Sequence, residues 1–328
     1  MSGAVTRRTG ASTVTAVVAL PVVVLLAALP YLAAPDVTRS LVDLFVLVVL
    51  ASMWNLLAGY GGMISVGQQG FIGVGAYTVL VADLAGISPF LALPIAALVT
   101  AVLALPTTTL VFRLSGGYFA IGTWVVAEVF RLVTVEFSAV GGGSGASLTG
   151  LGGIPPLLRG ALTYWCALGA AVLVVGGILV LMRSRLGLAL TAIRDEPTAA
   201  ATLGVRVRRA RRLVFVVAAA GCGLAGALIV LDSLRVQPDS VYGVQWSAFM
   251  IFMVVIGGMG TIEGPILGAV AFFAIQQVLA PFGVWYLVVL GLVAIVAAMY
   301  ARRGLWGALT LGRDVRLLPT GYRVGRGA

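Results

Sequence analysis

The chain has neither lysine nor histidine among its 328 residues. Without lysine there is no GxxxxGK[ST] phosphate-binding loop, so the chain is not itself a P-loop ATPase. Without histidine, imidazole acid–base chemistry and histidine-ligated metals are excluded. Cysteine is nearly absent too: Cys166 and Cys222 both fall in apolar stretches. They read as small buried hydrophobes, not as a disulfide or a metal pair. Charged residues make up only 10% of the chain, against roughly 25% in soluble domains. With 61% hydrophobic residues and a mean hydropathy of +1.11, the chain reads as an all-α integral membrane protein with little mass outside the bilayer.

What charge there is has one dominant sign. All 21 basic residues are arginine and the net charge is +10. Sixteen of the 21 fall in three places: Arg7 and Arg8, residues 183–212, and a tail from Arg302 to Arg326. That clustering is what the positive-inside rule produces, whereas nucleic-acid binding needs one concentrated basic face, so no nucleic-acid partner is expected. The middle cluster, RSRLGLALTAIRDEPTAAATLGVRVRRARR, holds eight arginines, Asp195, Glu196 and Pro197 between two long apolar stretches. A segment so charged belongs in water, and its arginine excess assigns it to the cytoplasm.

A membrane span needs about 20 mostly apolar residues. Ten segments qualify, near 15–34, 41–58, 66–86, 89–112, 118–137, 161–182, 213–233, 244–262, 265–280 and 284–301; eight or nine result if the shortest or glycine-broken ones do not cross. The first is too long for the roughly 7–15-residue apolar region of a signal peptide. With ten spans and the N-terminus inside, every basic cluster lies on one side. Residues 1–14 and 302–328 are then cytoplasmic tails around a membrane domain of 15–301, and only Arg39, Arg159 and Arg235 lie outside, singly. The one sizeable external loop, 138–160, is rich in Gly and Ser, a composition expected to give a flexible connection with no core of its own. It is a linker, or else a docking or gating surface.

Glycine and polar residues concentrate where hydrocarbon is expected. From Gly59 to Tyr77 seven of nineteen residues are glycine, beside Ser65, Gln68 and Gln69. Glycine permits close helix approach and helix breaks, and breaks at membrane depth are tolerated where they are packed in protein or line a cavity. Both tight packing and a solute pathway fit. The GGM of this stretch recurs at Gly257–Met259, without aligned flanks, and reads as coincidence. Glu128 and Arg131 in the fifth span are three apart and share a helix face. They form a structural pair, or they are functional, as intramembrane charges often are. Asp43, Asp83 and Asp232 fall near span ends, and no carboxylate chain crosses the centre.

Within the arginine-rich segment, a helix through Ala189–Ile193 ends at Arg194-Asp195-Glu196, because Pro197 disfavours helical geometry at Glu196. Pro197 can open a second short helix that stops at Gly204. Most of the five arginines from Arg206 to Arg212 set topology and meet headgroups in a stretch returning to the membrane. The alanine-faced helix calls for another explanation and is suited to insertion into a partner's groove.

The pattern Glu196-x-x-Ala199-Ala200-x-x-Leu203-Gly204 resembles the coupling loop of ABC importer permeases. The run from Ser184 through Gly187, Ala189, Leu190 and Ile193 to Glu196 is more specific and resembles the LivM-type branched-chain amino-acid permeases. So do Leu56-Leu57-x-Gly59-Tyr60-Gly61-Gly62-x-x-Ser65-x-Gly67-Gln68 with Gly73-x-Gly75-Ala76-Tyr77, Gly117-Tyr118-Phe119-Ala120-Ile121-x-Thr123 with Glu128, and Gly257-Gly258-x-Gly260-Thr261-x-x-Gly264-Pro265. The matches run in order from about residue 50 to 280. Pro197 inside the coupling motif and extra Gly and Ser at 141–153 depart from the family pattern. The resemblance implies a type II ABC importer-like permease that hydrolyses no ATP. It would work with a second permease subunit, as a hetero- or homodimer, two cytoplasmic ATPases that hold the ATP and Mg, and an extracytoplasmic substrate-binding protein. No cofactor is expected on this chain. Relatives also carry urea and short amides. Coupling is assigned to Arg194, Asp195, Glu196, Ala199, Ala200, Leu203 and Gly204. The pathway is assigned to Ser65, Gln68, Gln69, Tyr77, Tyr118, Thr123 and Glu128. Two competitors stand beside this: a secondary transporter with Glu128 as coupling carboxylate, and an intramembrane enzyme, for which the chain has few catalytic groups.

Overall fold

A computed structural model describes residues 5–6, 10–279, 282–283, 285–300, 304–310 and 323–324. The expected cytoplasmic tail at 302–328 and the first residues of the chain lie mostly outside these. The helices, in order, are α1 (Gly10–Leu32), α2 (Pro35–Asn55), α3 (Gln68–Leu84), α4 (Ala92–Val111), α5 (Gly117–Glu136), α6 (Pro156–Arg183), α7 (Arg185–Asp195), α8 (Pro197–Thr202), α9 (Val207–Ser233), α10 (Pro238–Val241), α11 (Gln245–Gly257), α12 (Glu263–Leu279), α13 (Trp285–Tyr300) and α14 (Gly304–Leu309).

Helices stand at all ten expected positions. Six stretches among the described residues are long and apolar enough to cross a bilayer: Pro35–Tyr60, Ala92–Val111, Gly117–Glu136, Pro156–Arg183, Val207–Ser233 and Pro238–Gly257. The chain is therefore a multi-pass α-helical membrane protein. Leu20–Leu32 and Glu263–Leu279 are shorter apolar helices, and α3 has only 17 residues.

Several spans start earlier than hydropathy places them. α2 and α6 open on Pro35 and Pro156, where a missing N–H is no loss and the fixed φ suits the first helical turn. Asp43 consequently lies two turns inside α2 rather than near its end. α9 begins at Val207, so the basic stretch from Arg208 to Arg212 is not an extended return but the first turns of a 27-residue helix.

The core forms around α9, which packs against α2, α3 and α4. In a bilayer, helix association depends on close packing rather than on the hydrophobic effect, which favours small contact residues. Gly221, Cys222, Gly223, Ala225 and Gly226 supply such small contacts on α9, all buried, with Gly221 against α2, Gly223 against α4 and Gly226 against α3. A Cβ on Gly75 of α3 would overlap the Gly223 backbone.

The 138–160 loop is not the unsupported connection its composition suggests. Ala146–Ser147 pairs antiparallel with Arg235–Val236, and Leu148 N donates to the Leu234 carbonyl at 2.9 Å. Leu151 is buried in the core. The buried Asp83 carboxylate, at the end of α3, accepts from Thr149 N at 2.8 Å and Gly150 N at 2.9 Å. Hydrogen bonds to charged groups are worth roughly 1.5–3 kcal/mol each. Asp83→Asn is expected to accelerate limited proteolysis within 141–153 about tenfold with membrane insertion unchanged. Equal cleavage rates in both proteins would show that the strand pairing alone holds the loop.

Candidate functional site

The helix break expected near Gly59 is present. α2 runs into a π-turn over Leu56–Tyr60, and residues 61–67 are non-helical until Gln68 opens α3. This backbone would be untenable in hydrocarbon unless its polar groups were met within the protein. Trp54 Nε1 donates to the Ser65 carbonyl at 2.8 Å. Val66 N donates to Thr123 Oγ1 at 3.2 Å, and the Thr123 hydroxyl donates to the Ala120 carbonyl at 2.8 Å. Gly67 N and Gln68 Nε2 each donate to Ser65 Oγ at 3.3 Å. From α11, the Ser247 hydroxyl reaches the Gln69 side-chain oxygen and, at 3.2 Å, the Val66 carbonyl. Gly67 is essential to this approach, because a Cβ there would overlap the Thr123 carbonyl.

The result is a buried polar cluster of Ser65, Gln68, Gln69, Thr123 and Ser247, none carrying charge. It is not fully satisfied: Gln68 Oε1 and the Tyr77 hydroxyl are buried without a hydrogen-bond partner among the described residues. Tyr77 stacks on Tyr242 with ring centroids 6.1 Å apart, and the Tyr242 hydroxyl is 2.8 Å from Thr134 Oγ1. Such a cluster can exchange hydrogen bonds with a polar solute but holds no group for acid–base chemistry.

Of the seven pathway assignments, the structure brings together Ser65, Gln68, Gln69 and Thr123, with Tyr77 also buried, further along α3. It separates Tyr118 and Glu128 from them. α5 turns Thr123 and Ala127 inward and leaves Tyr118 75% exposed, together with Ile121, Trp124 and Val125. The Glu128 side chain is 43% exposed and held by Arg131 at 2.6 Å, while Arg131 reaches Asp239 of α10 at 3.0 Å.

The coupling assignments form one structural unit. The Ser184 hydroxyl oxygen caps α7 by accepting from Leu186 N at 3.1 Å. Glu196 leaves helical geometry before Pro197 and caps α8, accepting from Thr198 N at 3.3 Å. Gly204 ends the unit in left-handed geometry at φ +84°, which favours glycine. Ala200 is buried, whereas Asp195, Ala199 and Leu203 are exposed, Leu203 by 82%. Arg194 points back into the bundle: Nη1 donates to the Gly59 carbonyl at 3.2 Å and Nε lies 3.3 Å from Asp195 Oδ1.

The two GGM turns, which looked unrelated, meet at this point. Asn55 Nδ2 donates to the Thr261 carbonyl and its Oδ1 accepts from Gly260 N, both at 2.8 Å. A Cβ on Gly260 would lie 2.8 Å from Arg194 Nη1. Asn55 and Ser247 are the site residues that sequence reasoning missed. The signal available was an isolated polar residue in each of two apolar runs, SMWNLL and QWSAFM.

A family model described as "Branched-chain amino acid transport system / permease component" matches residues 37–298. Among curated proteins, the "High-affinity branched-chain amino acid transport system permease protein LivM" of Escherichia coli (strain K12) is 29% identical over 300 residues, covering 82% of this chain and 70% of its own length. The protein of the same name from Salmonella typhimurium matches to the same extent. A "Probable branched-chain amino acid transport permease protein LivM" of Methanocaldococcus jannaschii is 25% identical over 169 residues, 51% of this chain and 49% of the relative. No solved structure matches.

Proposed function

We propose, from the premise that this chain belongs to the branched-chain amino acid transport permease family, that it is a membrane-spanning subunit of an ATP-driven importer for branched-chain or related small amino acids. It works by alternating access through ten spans, with both termini and the 183–212 segment on the cytoplasmic side of the cell membrane. The α7–α8 unit receives two separate ATPase subunits. The exposed apolar face of α5 meets a second permease subunit, and the loop pinned by Asp83 meets the substrate-binding protein. The observation that carries this proposal is the junction at Arg194, where an exposed helical unit with an apolar tip is bonded to the π-turn that ends the α2 span and, through Asn55 of α2, is linked to the turn between α11 and α12. A movement imposed at Leu203 then reaches the broken segment through one hydrogen bond, from Arg194 to Gly59.

The uncharged character of the cluster specifically favours a second substrate class, urea or a short amide, carried by the same machinery. Radiolabelled leucine and urea uptake in vesicles bearing the reconstituted permease, ATPases and binding protein separates the two. ATP-independent, gradient-driven uptake of either solute by this chain alone would overturn the importer assignment. In the same preparation, Glu196→Lys and Gly204→Val are each expected to weaken retention of the ATPase subunits about fivefold, through lost capping and left-handed strain of ~1 kcal/mol, with membrane insertion unchanged. Retention that survives both substitutions places docking elsewhere.

A further inference from the structure

Next to the polar cluster, the 62–64 turn, the α4–α5 connection and the first turns of α9 surround a cavity of about 520 Å³. Its inner wall is apolar, with buried Met63 and Phe119 and half-buried Phe112. Its rim is basic, with Arg208 and Arg211 on one face of α9 at i,i+3 spacing. Among the described residues neither arginine forms an ion pair, and Arg211 Nε is enclosed without a hydrogen-bond partner. An enclosed guanidinium nitrogen lacking an acceptor is unfavourable, and the amino end of a long helix adds positive potential to the same spot. The site therefore asks for an anion. The apolar wall asks that the anion carry hydrocarbon, since a free phosphate would leave Met63, Phe112 and Phe119 uncovered.

We propose that this cavity holds an anionic phospholipid, its phosphate on Arg208 and Arg211 and the upper part of an acyl chain against Phe112 and Phe119. Basic pockets between membrane helices recognise acidic headgroups through this chemistry, each arginine contributing on the order of a fivefold preference. The site is separate from the transport assignment, and its test needs no transport.

The full-length chain in detergent is supplied with phosphatidylglycerol or phosphatidylethanolamine of identical acyl chains, and retained lipid is counted by native mass spectrometry. One phosphatidylglycerol is expected to be retained in preference. Arg208→Gln with Arg211→Gln lowers that retention roughly 25-fold. Ser115→Trp, which fills the mouth and leaves both charges, lowers it as well. Arg206→Gln with Arg209→Gln, exposed arginines outside the cavity, leaves it unchanged. Equal retention of the two lipids overturns the proposal. So does an equal loss in the Arg206/Arg209 variant, which means a diffuse basic surface, or full displacement by inorganic phosphate, which means a simple anion site.

Discussion

Replacing Arg194 by alanine is expected to reduce solute uptake roughly 10- to 100-fold while the ATPase subunits still co-purify and still hydrolyse ATP. The expectation follows from what Arg194 touches. Its side chain leaves the α7–α8 unit and donates to the Gly59 carbonyl, inside the π-turn that ends the α2 span. That turn is bonded through Asn55 to Gly260 and Thr261. Removing a charge-assisted hydrogen bond costs about 1.5–3 kcal/mol, which sets the range if the bond carries the mechanical link. Arg194→Lys restores the charge but not the planar fork, so uptake should recover only in part. Two results would count against the assignment. Unchanged uptake means the stroke takes another route. Loss of the ATPase from the purified complex means that Arg194 acts in docking, the role proposed for Glu196 and Gly204.

The legibility of the chain divides along sequence distance. The α7–α8 unit was readable because each of its determinants is local. Pro197 disfavours helix at Glu196, the Glu196 carboxylate caps α8, and Gly204 takes the left-handed position. The Glu128–Arg131 pair was readable for the same reason, being three residues apart on one helix. The third member, Asp239, lies 108 residues away, and nothing local announces it. Ser247 meets Gln69 across 178 residues and Asn55 meets Gly260 across 205. No periodicity or turn rule reaches that far, so one polar residue in an apolar run looked like noise. Helix rotation was hidden too. The α5 sequence is apolar nearly all round, so it does not say which side Tyr118 and Glu128 face; packing of Thr123 against Gly67 and of Ala127 against Gly70 of α3 decides it. The 138–160 loop misled in the opposite direction. Its Gly and Ser content describes an unfolded chain, while one buried carboxylate at Asp83 and one short strand pair order it. Composition cannot register an anchor that lies 66 residues upstream.

The polar cluster allows a packing role to be separated from a pathway role, since its two glutamines are expected to behave differently. Gln69 is engaged by Ser247, so Gln69→Met breaks an existing bond but leaves the Ser247 hydroxyl its second acceptor, Val66; a modest loss of stability is expected. Gln68 donates to Ser65 at 3.3 Å, yet its Oε1 is buried with no partner among the described residues. A buried acceptor left unmet costs about 1–3 kcal/mol. Replacing it with a methionine of similar length removes that penalty at the loss of one long hydrogen bond. Gln68→Met is therefore expected to keep or raise the thermal midpoint of the purified chain. If Oε1 is held open for a passing solute donor, the same substitution lowers uptake roughly 10- to 100-fold, the cost of leaving that donor unmet in a buried site. A role in packing alone predicts the same order of stability but the reverse order of uptake, with Gln69→Met the more damaging. Thermal unfolding and uptake measured on the two variants side by side decide the matter. A Gln68→Met protein that is both stable and fully active would remove Gln68 from the pathway.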